Sequence, residues 1–126
     1  MDLLGDLKER SFLQTHNQCY AMLRAVLHEF RGYMTVGQAI AFANGLPPVV
    51  RAIFVENWKP PDQPLPSPSR QDFIDAVIGR LSPHHVPPDS IVSDVFALLA
   101  PRAEATKIAD VIDSLPAELK QLWDED

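Results

Sequence analysis

Five prolines, at positions 60, 61, 64, 66 and 68, crowd the segment Lys59–Ser69. Each removes a backbone donor and pushes its predecessor out of the helical region. No helix or inner strand can run through such a stretch, so an extended, fairly stiff connector is expected there. It divides the chain into a first unit (1–58), a Pro-rich linker (59–69) and a second unit (70–126), which together have the length of one compact domain.

Both units read as helical. Phe12, Cys19, Leu23, Val26, Leu27 and Phe30 recur at steps of three and four, which stacks them along one helix face ending near Gly32. Thr35 with Gln38 forms the signature of a capping box, and the stripe Val36, Ala39, Ile40, Ala43 follows. Asn44-Gly45 supplies a stop that tolerates positive φ, and Pro47 suits the first turn of a third helix carrying Val50, Ile53 and Phe54. Past the prolines, Ser69 to Asp72 is a further helix start. Phe73, Ile74, Val77, Ile78 and Leu81 mark the helix, and Pro83 stops it. More helices are expected near 90–100, 104–113 and 116–124. No segment alternates with β-branched enrichment, so the fold class is all-α, a compact bundle of six to seven helices.

The two units also match each other at a shift of 69 residues. Leu46-Pro47 falls on Leu115-Pro116, the stripe Val36, Ala39, Ile40, Ala43 on Ala105, Ile108, Ala109, Ile112, and Ile53-Phe54 on Leu122-Trp123. The register needs no gap from 22 to 54, which predicts an internal duplication of a three-helix unit.

Several function classes are disfavoured. A net charge of -6 with singly scattered arginines offers no basic patch, so nucleic acid is not an expected partner. No apolar run approaches the roughly 20 residues that cross a bilayer, and no signal peptide opens the chain, so a cytoplasmic protein is expected. The single Cys19 excludes an internal disulfide and a multi-thiolate zinc site. Cys19 also sits mid-helix, glycine-rich phosphate loops are absent, and no serine elbow occurs, which leaves no catalytic constellation.

The run Leu23-Arg24-Ala25-Val26-Leu27-His28, then Leu46-Pro47, then Val50 to Pro60, resembles a bacterial family known only as domain of unknown function 2267. Asp72-Phe73-Ile74 and the closing Leu115 to Trp123 fit the same pattern. The resemblance spans about residue 15 to the end. It implies an all-helical fold of two similar units in bacterial cytosol, and no reaction. Family members typically end the third helix with two aromatics, Glu, Gly and Trp. This chain has Phe54, Val55, Glu56, Asn57 and Trp58 there, so one aromatic and the glycine are replaced.

The candidate binding residues follow from that motif. Trp58 would stack on a ligand or partner while Arg51 and Glu56 orient it; alternatively Trp58 packs the junction of the units and the two charges serve helix ends. His28, beside Arg24 and Arg31, is expected to be partly solvated. Trp123 in the last helix would anchor a partner or close the core of the second unit. His84-His85 make a poor chelate in a proline-rich turn, and His16 with Cys19 is better explained as interior packing, so neither metal nor cofactor is expected. The expected function is therefore a non-enzymatic module that binds a protein partner or a second copy of itself. The alternative is a small-molecule-binding protein with its pocket where the two units meet.

Overall fold

A computed structural model describes residues 16–81 and 90–124, with the side chains of His16 and Asn17 left aside. Seven α-helices are found among these residues: α1 (His16–Arg31), α2 (Val36–Asn44), α3 (Pro48–Val55), α4 (Arg70–Gly79), α5 (Ile91–Leu99), α6 (Ala105–Ser114) and α7 (Ala117–Asp124). A short 3₁₀ turn, Ala100–Arg102, follows α5. The described residues contain no strand, and the fold is all-α as expected.

Local sequence sets the boundaries. Thr35 Oγ1 accepts from Gln38 N at 3.1 Å while Gln38 Oε1 accepts from Thr35 N at 2.8 Å, completing the capping box of α2. Pro48, rather than Pro47, takes the first turn of α3. Ser69 Oγ accepts from Asp72 N at 3.1 Å and starts α4. That helix ends at Gly79, so Leu81 lies beyond it; Pro83 lies outside the described residues.

Gly45 ends α2 for a reason other than the expected one. Its φ is -91°, which any residue adopts. A Cβ there would instead stand 2.4 Å from Ile108 Cγ1 and 2.8 Å from Cδ1, so the glycine permits close approach of α6. At this contact Glu104 N donates to Gly45 O at 2.8 Å. At the other end of the pair, Gln38 Nε2 donates to Ser114 Oγ at 3.0 Å. The helices α2 and α6 therefore run antiparallel.

Helix α1 packs against α3, α4 and α5 at once. Its apolar stripe from Cys19 to Phe30 is buried as expected, Phe12 lying outside the described residues, but so are His28, Glu29 and Arg31 on its other faces. On α2 the inward residues are Ala39, Phe42 and Ala43, whereas Val36 and Ile40 of the expected stripe point to solvent. Ile78 of α4 is likewise exposed.

Aromatic rings tie the helices together. Phe30 of α1 meets Phe96 of α5 at 4.9 Å between centroids and Phe42 of α2 at 5.5 Å, both edge-on. Phe42 also contacts Phe54 of α3 at 5.1 Å and Trp123 of α7 at 5.3 Å. Phe73 of α4 joins through Phe30 and Phe96, each at 6.3 Å. Helices from before and after the proline run thus share one core. The proline run packs on it: Leu65 N donates to Gly32 O at 2.9 Å, and Ser67 Oγ donates to Glu118 at 2.8 Å.

Val36 and Pro48, which open α2 and α3, each lie 69 residues before Ala105 and Ala117, which open α6 and α7. The contacts follow the same correspondence, since α1 packs on α3 and α5 on α7, while α1–α5 and α2–α6 pair across the two halves.

Candidate functional site

The polar groups of this chain converge where α1 meets the ends of α3 and α4. Tyr20, Arg24 and His28 are four residues apart and so occupy one face of α1, with Arg31 one turn further. Opposite them, α3 ends at Val55 and the chain turns sharply. Asn57 has φ 51°, the one described non-glycine residue in the left-handed region. The resemblance read from the sequence implies glycine at this position, and asparagine is the next most tolerant residue there. The turn lays the Glu56 side chain over α1 and tucks Trp58 beside Arg31.

The contacts pair side chains across the turn and close the end of α3. Arg24 Nε donates to Glu56 Oε1 at 2.9 Å and the Tyr20 hydroxyl donates to Glu56 Oε2 at 3.1 Å. These two donors hold the Glu56 carboxyl below the usual glutamate range. Arg31 Nη1 donates to the carbonyls of Phe54 at 2.9 Å and Glu56 at 2.8 Å, serving the open C-terminus of α3. Its guanidinium lies 5.8 Å from the Trp58 ring centroid, within cation–π range.

His28 corrects the expectation of partial solvation, for it is 5 % exposed. Its Nε2 lies 2.8 Å from the Ile53 carbonyl, which can only accept, so the proton sits on Nε2. Burial, and then the charges of Arg31, Arg24 and Arg80, push its pKa below 6.5, against the opposing pull of the Ile53 carbonyl. A second ion pair flanks it, with Arg80 Nε donating to buried Glu29 Oε1 at 2.9 Å. The Tyr33 hydroxyl donates to Glu29 Oε2 at 2.6 Å, and burial followed by this bond drives its pKa upward.

Between these groups lies a cleft of about 600 Å³, bounded by Tyr20, Arg24, His28, Glu56, Arg80 and Leu81. Its floor is small and apolar, formed by Ala21 and Ala25. The volume is that of an ordinary small-ligand site.

The other candidates fall elsewhere. Arg51 is parted from Glu56: its Nε donates to Ala43 O at 2.9 Å and its Nη2 to Leu46 O at 3.1 Å, closing the end of α2. Trp58 is half-buried against the core and Arg31. Trp123, 9 % exposed, sits between Phe42 and Phe96. His84 and His85 lie outside the described residues, as does the side chain of His16. Among the described residues no three of His, Cys, Asp and Glu cluster as metal ligands would, and no helix is long and apolar enough to cross a membrane.

Tyr20, Arg80 and Glu29 were not singled out by sequence reasoning. The signal for Tyr20 is its four-residue spacing from Arg24 and His28. For Glu29 and Arg80 there is none, because their pairing is made only when α4 docks on α1.

No curated protein matches the chain. One family model does, over residues 1–122, and its description is an uncharacterised conserved protein, DUF2267. With all but its last residues matched, this all-helical chain belongs to the DUF2267 family.

Proposed function

We propose that this chain is a non-enzymatic binding module whose ligand site is the cleft between α1 and the ends of α3 and α4. The observation that carries the reading is the convergence there of Tyr20, Arg24, His28, Glu56 and Arg80 around a concavity of about 600 Å³ with an alanine floor. Several polar groups held rigidly over a small apolar floor are the usual makings of a small-ligand site. Among the described residues the lining contains no cysteine, serine or threonine to act as a nucleophile, and its histidine is engaged with a backbone carbonyl, which supports binding over catalysis. A thermal-shift screen of small metabolites tests it. Compounds that raise Tm should lose their effect in Ala21→Phe, which fills the cleft from its half-buried floor. Hits that act equally on both proteins would overturn the reading.

The second reading is a protein-interaction module, and a different observation favours it. Val36 and Ile40 on α2 and Val49 and Val55 on α3 are 45 %, 55 %, 72 % and 45 % exposed. The positions 69 residues later hold Ala105, Ala109, Glu118 and Asp124, so the first unit has the more apolar outer face. We read the two units as copies of one ancestral three-helix segment, the first having kept or gained this surface. Light scattering at high concentration tests self-association, and a strict monomer removes the homo-oligomer. The bacterial cytoplasmic setting is part of this proposal and rests on the resemblance read from the sequence alone.

A further inference from the structure

Two arginines reach the cleft, one from α1 and one from the turn that follows α4, each already anchored through a single nitrogen. Arg24 holds Glu56 and Arg80 holds Glu29, both through Nε at 2.9 Å. Among the described residues the terminal nitrogens of both guanidinium groups donate no hydrogen bond to protein, and the side chains remain 40 % and 44 % exposed. A guanidinium pinned by Nε keeps its two outer N–H groups in a fixed plane. That fork matches two oxygens of one carboxylate or phosphate.

The local charge points the same way. Arg24, Arg31 and Arg80 stand against Glu29 and Glu56, an excess of one positive charge on a chain whose formal net charge is -6. An anion would find this cleft the attractive spot on a repelling surface, whereas a cation would be held better elsewhere.

Resting on the assignment of the cleft as the ligand site, we infer that its ligand is a small organic anion whose carboxylate or phosphate group is gripped between the terminal nitrogens of Arg24 and Arg80. The body of the ligand lies on Ala21, Ala25 and Leu81, and Tyr20 borders it.

The test is an amide NMR titration of the full chain with inorganic phosphate, with citrate, and with a set of neutral fragments, ionic strength being balanced with chloride. Phosphate or citrate should shift the amides of residues 20–28 saturably, and the stronger of the two names the oxyanion. Arg24→Gln should weaken that binding roughly tenfold or more, as loss of a charge-assisted pair does. Arg80→Lys keeps a cation beside buried Glu29 and so preserves the fold, yet loses the fork and should also weaken binding. The His28 pKa, followed by its ring protons, should rise when the anion is bound. Oxyanions that leave these amides unmoved, or that bind wild type and both variants alike, overturn the inference. If neutral fragments shift the same amides while oxyanions do not, the cleft survives as a ligand site and only the oxyanion falls. If nothing in any set shifts them, both fall.

Discussion

Gly45 at the end of α2 faces Ile108 of α6 so closely that a Cβ on the glycine would come within 2.4 Å of Ile108 Cγ1. The near atom belongs to the stiff base of a β-branched side chain that is 2 % exposed, so it cannot swing away. Gly45→Ala should destabilise the protein by about 1–3 kcal/mol, the usual cost of overpacking. Chemical denaturation of a double-mutant cycle checks the cause: Ile108→Ala should cost less in the Gly45→Ala background than in wild type.

Asn57 tests the family pattern. Its φ of 51° suits glycine best and a β-branched residue worst. Asn57→Gly should lie within about 0.5 kcal/mol of wild type, whereas Asn57→Val should lose about 1–2 kcal/mol. Denaturant midpoints for the pair decide it, and equal midpoints would show that the turn is not held in the left-handed region.

The two ion pairs of the cleft should behave differently. Arg24 and Glu56 are both well exposed, so Glu56→Gln should leave stability almost unchanged. Glu29 is buried, with a tyrosine hydroxyl as well as Arg80 upon it. Glu29→Leu should therefore cost more, roughly 2–4 kcal/mol after allowing for the exposure of Arg80. Thermal melts of the two variants at one salt concentration give the comparison.

Acid should act through His28. Its folded-state pKa lies below the ordinary 6.5, so between the two values the unfolded chain binds the extra proton. Stability from this group is complete above about pH 6.5 and declines as pH falls through the window beneath it. Urea midpoints at pH 7.5 and 5.5 should thus differ in wild type. His28→Asn, which retains a donor for the Ile53 carbonyl, should flatten that difference.

Most of the fold was legible because the signals are local. Helix periodicity, the Thr35–Gln38 box and the Ser69 cap all act within a few turns of chain, and the helices start where those residues stand. Periodicity was less reliable for facing. Ile40 shares a stripe with Ala39 and Ala43 in the sequence, but close contact with α6 turns Phe42 inward and leaves Ile40 in solvent. The site was half legible. Glu56 and Trp58 stand where α3 ends, as the motif suggested, yet Arg51 points to the opposite end of that helix. His28 appeared solvated because its neighbours in sequence are charged. It is buried because those neighbours bind the ends of other helices, leaving water no access from that side.

The ring contacts through Phe30, Phe42, Phe96 and Trp123 carry a thermodynamic consequence. A helix carrying one of these rings strips a neighbour's aromatic face bare when it detaches, and that neighbour belongs as often to the opposite side of the proline run as to its own. Neither half can loosen while the other stays intact, so calorimetry should record one melting peak with equal calorimetric and van't Hoff enthalpies.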